Sequence, residues 1–546
     1  MRKPASTFFL HVRTSATQRL FALAAGVCLL ACTGDGGGGG GGGGTVIVGM
    51  RSDFGAFNPV ISSGQYDWEL MNYALFTPLV QYDESLGVRP YLAESWELQG
   101  DSGVVFQLRN DVRWHDGQPV TAHDVEFTFN LAKSPETASP LLATAFLTNV
   151  ASAQVIDERT IAFRFTTPHA QALEDFWWPP LPRHLLQNVS AAELRNAPFN
   201  RQPVGSGPFR FQEWRANEQL VLVRNPDFPE ALGGPAAAER VVFRIIPEAS
   251  TMLTELLTGS IHVDIPLAPD QAQQVEQGAE TQLHSFPGKT VYFVGWNNAR
   301  PVFADARVRR ALGLAINRQE IVDALLHRQG ELATSPIPPW HRLYPADVQP
   351  LSHDAQQATQ LLEQAGWQDR DGDGIRENAS GQKLAFTLLS SNDELRRGVV
   401  EVLQSQLRQV GADVQVQVME FQTMLQNHRD RNFDAVLTNW TLDNFQAAAA
   451  PMSLFHSRQA DIPQSANRSS VRIPQLDAAM QRAAAAADEG EQRAAWQQVT
   501  EILQQEQPVT FMFWLNELAA SRRAVGGVQM DPRGEFMSIA EWTASR

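Results

Sequence analysis

Cysteine is nearly absent: Cys28 and Cys32 are the only two in 546 residues. Both stand near the N-terminus, so the body of the chain has no thiol pair for a disulfide and no closed thiolate zinc site. Positive charge is also short. There are 44 Lys and Arg against 60 Asp and Glu, a net charge of -16, which argues against nucleic acid or an anionic membrane surface as partner. The apolar run Leu20 to Ala31 is too short to span a bilayer as a stable helix. Motifs of covalent chemistry are missing too. The glycines of Val204-Gly205-Ser206-Gly207-Pro208 lack the Lys and Ser or Thr of a nucleotide loop, and Gly-Ser-Gly lacks the spacing of a nucleophile elbow. With no nucleophile spaced to a base, the chain is not expected to be an enzyme.

What is present begins with length. A chain of this size exceeds the roughly 250 to 300 residues that one core supports, so at least two lobes are expected. Arg2, Lys3, Arg13 and Arg19 precede the short apolar run, the layout of a signal peptide over residues 1–31. Its removal takes four of the 44 basic residues and none of the acidic ones, leaving a more acidic mature chain. Leu29-Leu30-Ala31-Cys32 resembles the lipobox of bacterial lipoproteins. That resemblance implies acylation of Cys32, which becomes the mature N-terminus and attaches the protein to a membrane through lipid. Residues 32–44, with glycine from Gly36 to Gly44, cannot bury apolar surface and are expected to act as a flexible tether spanning about 20 Å.

The most informative stretch runs from Pro90 to Asn130. Val104, Phe106 and Leu108 alternate as in a half-buried strand, Asn110-Asp111 and Asp116-Gly117 mark turns, and Thr121 to Asp124 has the spacing of a helix N-cap. The order Leu92-Ala93, Ser95-Trp96, Phe106, Leu108-Arg109, His115-Asp116-Gly117, Pro119, Thr121-Ala122, Asp124-Val125 resembles the extracellular solute-binding proteins of ABC importers, in the peptide, dipeptide and nickel group (solute-binding family 5). Gly205-Ser206-Gly207-Pro208-Phe209, Arg224-Asn225-Pro226 and Val302 to Leu312 resemble further segments of that family. The resemblance implies an α/β fold of the two-lobed periplasmic-binding-protein type (type II, large cluster), with an extra subdomain in the first lobe at about 90–200. The expected organisation is lobe 1 over 45–286, lobe 2 over 287–515 with a hinge near Pro287 and Leu515, and a return to lobe 1 over 516–546.

In the second half, Ala385 to Leu389 reads as a strand, Asp393 to Val410 as a helix capped by Gly411, Val414 to Val418 as a strand and Phe433 to Thr438 as another. Open sheets of this kind bind ligands beyond the carboxyl ends of their strands. The residues to inspect are therefore Asn439-Trp440-Thr441-Leu442-Asp443-Asn444. By resemblance, Asp443 pairs with a peptide's α-ammonium, with Asn439, Trp440 and Thr441 beside it; a turn Asp is the plainer alternative. Phe445-Gln446 and four alanines then depart from the family's pattern. Trp177 and Trp178 either fill a core, the more ordinary role of large aromatics, or line a cleft.

Asp369, Asp371 and Asp373, at alternate positions and followed by Gly374, are spaced as the start of an EF-hand-type calcium loop. Ile375 and Glu377 fall off that register, and the twelfth position is Ser380. A solvated acidic turn is the expected reading, calcium the alternative, and no other cofactor is expected.

Together these features lead to a lipid-anchored substrate-binding component of an ABC importer. Acting as a monomer at the periplasmic or outer face of the cell membrane, it would capture oligopeptides or dipeptides between its lobes and deliver them to permease subunits. A carrier of a nickel chelate, sugar or opine is the alternative within the family. A periplasmic hydrolase or chaperone-like factor is the alternative outside it.

Overall fold

Two strands, Thr281–Trp296 and Val509–Arg522, organise the molecule. In this computed structural model, which describes residues 43–100, 102–166, 172–442, 445, 449–486 and 488–544, they pair antiparallel from Thr281 opposite Arg522 to Gly295 opposite Val509. The signal peptide, Cys32, nearly all of the tether, and Asp443 lie outside the described residues.

The long pair is flanked differently at its two ends. At one end Val509–Arg522 receives the short strand Val263–Ile265, which leads to Gly43–Met50, Ala238–Ile245, Gln219–Arg224 and Phe209–Arg215. At the other end Thr281–Trp296 receives Ala435–Thr441, followed by Ala385–Ser391 and Asp413–Met419. The result is one 11-stranded sheet with separate apolar cores at its ends. One core gathers residues between Val46 and Ile265 with Phe536, Ile539, Trp542 and Ala544. Two others draw on residues between Val291 and Trp514. The long pair breaks register between Pro287 and Thr290, where it leaves one core for the next.

Local chemistry explains the elements around this frame. Gly43–Met50 and Val263–Ile265 are parallel neighbours, with the helix Ala249–Thr258 in the connection, the right arrangement for a sheet covered by helices. The strands Ala93–Leu98 and Gly103–Leu108 join Thr160–Phe165 and Val150–Asp157 in a four-stranded antiparallel sheet. Beside it the helix Ala122–Lys133 starts on a capping box. Thr121 N–H donates to Asp124 Oδ2 at 2.8 Å while the Thr121 side chain accepts from the backbone of Asp124.

Some boundaries differ from those read in the sequence. Met71, Leu75 and Leu79 stand at helical spacing and predict a helix from Trp68 to Leu79; the structure has an α-helix Gln65–Leu70 running into a π-helical turn Met71–Leu75, followed by the strand Val80–Tyr82. Pro78 cannot continue the helix, and the wider turn keeps every residue from Met71 to Leu75 buried. Residues Val155 to Phe165, whose apolar and polar side chains alternate in the sequence, form part of a hairpin, turned where Arg159 N–H donates to Asp157 Oδ1. Pro508 to Leu515 reads as a strand from its apolar residues, and in the structure that strand continues to Arg522. Its apolar run is interrupted at Asn516 and Glu517, which are half-buried where the strand passes between cores.

Candidate functional site

The strand Ala435–Thr441 ends against the register break of the long pair: Thr441 lies opposite Thr290, Trp440 opposite Val291 and Asn439 opposite Tyr292. Strand geometry puts successive side chains on opposite faces. Asn439 and Thr441 share one face, where Asn439 Oδ1 accepts from Arg396 Nη2 and the Thr441 hydroxyl is 3.0 Å from that of Thr290. Arg396 is itself buried and also donates to Ser391 Oγ at 2.7 Å. Trp440 packs with the core that contains Val291, Phe293 and Phe455. The structure thus brings Asn439 and Thr441 together and separates Trp440 from them. Leu442 N–H then donates to the Lys289 carbonyl at 3.0 Å, leading the chain into the junction between cores.

Phe445 sits at that junction. It follows the second core's strand in sequence, yet it is 2 % exposed and packs with the first core. Tyr82 and Trp177 from the first core and Trp340 from the second surround its ring, at centroid distances of 4.5, 5.7 and 5.7 Å. Lys289 Nζ lies 4.9 Å from the ring centroid, in cation–π range. His341 fixes the backbone. Its Nδ1 accepts from Leu343 N–H, so Nε2 carries the proton and donates to the Phe445 carbonyl at 2.9 Å. Burial lowers the His341 pKa to about 4, which keeps the ring neutral in this role.

Polar atoms in this cage are left unused. Tyr82 Oη, Trp177 Nε1 and Glu174 Oε2 are buried without a hydrogen-bond partner among the described residues. Each such group costs about 1 to 3 kcal/mol if nothing satisfies it. Burial raises the Glu174 pKa to about 8, although Arg342, across the junction, approaches to 3.6 Å and opposes the rise. The two adjacent tryptophans therefore divide: Trp177 faces the cage, whereas Trp178 is fully buried and donates Nε1–H to the Asp175 carbonyl at 3.0 Å.

The other end of the junction is carboxylate-rich. Glu69 and Glu535, each 2 % exposed, meet there with Glu517. Gln65 Nε2 donates to Glu69 Oε1, Glu517 Oε2 and Glu535 Oε2 at 3.3 to 3.4 Å, and Tyr66 Oη donates to Glu535. Glu69 Oε2 also accepts the backbone N–H groups of Glu535 and Phe536. Burial raises both carboxyl pKa values, most strongly at Glu535, where Glu69 adds like-charge repulsion; Lys289 opposes the rise at Glu69.

Tyr82, Lys289, Trp340, Phe445 and the Glu69–Glu535 pair were not among the residues singled out in the sequence as site residues. Only Phe445 gave a signal, as a departure from the family's pattern directly after Asp443-Asn444.

Comparison with known proteins agrees with this architecture. The oligopeptide-binding protein AppA of Bacillus subtilis is 28% identical over 508 residues, 91% of each chain. Its structure in complex with a nonapeptide matches with a TM-score of 0.73 at 27% identity, covering 92% of this chain and 99% of that one. NikA from Brucella suis, solved with Fe(III)-EDTA, matches with a TM-score of 0.78 at 21% identity over 92% of this chain and 100% of that one; this likeness shows the fold. These neighbours are two-lobed, as the α/β reading of the sequence expects. The family of bacterial extracellular solute-binding proteins, family 5, matches residues 87–461, and the chain belongs to it.

Proposed function

We propose that this protein is the substrate-binding component of an ABC importer, capturing oligopeptides or dipeptides between its lobes and delivering them to membrane permease subunits. The observation that carries the reading is the cage at the junction, where the Phe445 side chain is enclosed by Tyr82 and Trp177 of one lobe and Trp340 of the other, beside unused buried donors and a buried acid. An apolar pocket with a few convergent polar groups suits a peptide side chain and its backbone. The similarity to AppA, whose solved complex holds a nonapeptide, supports peptides over other solutes.

In this reading the lobes divide into 45–286 with 516–546, and 287–515. They hinge where the long strands break register, and Phe445 occupies the place that a ligand side chain takes when it enters. Asp443 pairs with the ligand's α-ammonium, a charge-assisted contact that rejects ligands without a free amine. Cys32 carries lipid and residues 32–44 tether the body to a membrane, outside the cytoplasm. No helix among the described residues is long and apolar enough to cross a membrane.

Native mass spectrometry of the gently purified protein tests this. Short peptides that are retained by the wild type and lost from Asp443→Ala support it. A bare protein, or one holding a sugar or metal chelate insensitive to Asp443, contradicts it.

A further inference from the structure

A cluster of carboxylates lies in the loop between the helix Ala355–Gln364 and the strand Ala385–Ser391. One carboxylate oxygen from each of Asp369, Asp371, Asp373 and Glu377 lies within 4.8 Å of the others. The three aspartates are exposed, and their side chains also shape the loop. Asp369 accepts from the N–H groups of Gly372 and Gly374 at 2.8 and 3.1 Å, and Asp373 accepts from Ile375 N–H at 2.8 Å. An exposed acidic turn of this kind needs no ion.

Glu377 is different. It is 5 % exposed, held in small β-bridges with Gln368 and Lys383, and its Oε2 accepts from Arg370 N–H at 2.9 Å. Its Oε1 is buried and has no hydrogen-bond partner among the described residues, although the residue belongs to the four-carboxylate cluster. A buried carboxylate oxygen without a partner is costly, and a cation among these four groups would satisfy it. The neighbouring Arg376 does not supply that charge, because its guanidinium donates to the carbonyls of Val410 and Trp367.

We propose that Asp369, Asp371, Asp373 and Glu377 form a calcium site, with Glu377 replacing the acid that an EF-hand-type loop places at its twelfth position. An all-oxygen, all-carboxylate set selects a hard cation. Calcium takes oxygens at about 2.4 Å, so ligands on opposite sides of the ion stand about 4.8 Å apart; magnesium requires a tighter octahedron and retains its water. Lys383 is the competing cation. Its ammonium pairs with Asp373 and lies 3.6 Å from Asp371, on a side chain 43% exposed. Calcium entry displaces it into solvent, so Lys383 sets the affinity.

The test is calorimetric titration of the EDTA-treated full chain with calcium chloride and with magnesium chloride, together with the melting temperature in each. Calcium is expected to bind in a 1:1 ratio and to raise the melting temperature more than magnesium does. Asp371→Asn, at an exposed position, and Glu377→Gln are each expected to weaken calcium binding by about tenfold or more through loss of ligand charge. Lys383→Gln is expected to strengthen it. The site is refuted by a wild type without calcium response, by an equal response to magnesium, or by binding that Asp371→Asn leaves unchanged. If Glu377→Gln does not fold, the opposite signs required of Asp371→Asn and Lys383→Gln still decide.

Discussion

The aromatic and carboxylate ends of the junction handle burial in opposite ways. Around Phe445 the apolar surface is well packed, but Tyr82 Oη, Trp177 Nε1 and Glu174 Oε2 lack partners among the described residues. Around Glu69 and Glu535 the polar atoms are engaged, through Gln65, Tyr66 and backbone N–H groups, and burial raises the pKa of both carboxyls. Unused donors next to a replaceable side chain suit a place that a ligand enters. A carboxylate pair satisfied from within suits a fixed strut. Lys289 stands between them, near the Phe445 ring and electrostatically felt by Glu69, so the two ends are linked through one ammonium.

Removing the aromatic occupant gives the largest expected effect on stability. Phe445→Ala empties a site that is almost fully buried and is expected to cost about 3 kcal/mol in urea unfolding. If Phe445 stands in for a ligand side chain, the same variant binds peptides bearing an aromatic residue more tightly than the wild type does. A variant with unchanged stability breaks the contrast at its aromatic end.

Next in size is the response to pH. Glu174 has its pKa raised from 4.5 to about 8 in the folded protein, so the native state binds a proton that the unfolded chain releases. Its contribution is complete below 4.5 and is lost as pH rises through about 8. The raised pKa of Glu535 acts in the same direction. Melting temperature is therefore expected to fall with rising pH across this window, and less steeply in Glu174→Gln and in Glu535→Gln. An unaltered slope in both variants contradicts the raised pKa of these buried acids.

The smallest effect separates the tryptophans. Trp178 donates a hydrogen bond through Nε1 and Trp177 does not. Trp178→Phe is expected to cost about 1 kcal/mol more than Trp177→Phe, the net worth of one hydrogen bond. Equal costs in denaturant unfolding would remove the distinction between cleft and core for this pair.

The same residues show what a sequence can carry. The start of the helix Ala122–Lys133 is legible because Thr121 and Asp124 interact across three residues. The distinction between Trp177 and Trp178 is not, since it depends on Phe445, which is remote in sequence. Glu69 meets the backbone of Glu535 across 466 positions, a separation with no local pattern. The strand Val509–Arg522 was legible to Leu515 because Phe511 to Leu515 is continuously apolar. Its passage between cores places Asn516 and Glu517 in a half-buried setting, where alternation fades. Glu377 fell outside the familiar loop register, and small β-bridges to Gln368 and Lys383 hold it beside the aspartates. Asp443, taken from family resemblance, lies outside the described residues, whereas its neighbours Asn439 and Thr441 stand at the junction.

The most direct test of peptide capture is calorimetric titration with one short peptide in two forms, with a free and with an acetylated N-terminus, against the wild type and Asp443→Ala. The free form is expected to bind, with a loss of about 100-fold or roughly 3 kcal/mol on acetylation and a comparable loss in the variant. Equal binding of both forms by the wild type, or binding by Asp443→Ala that matches the wild type, would contradict it.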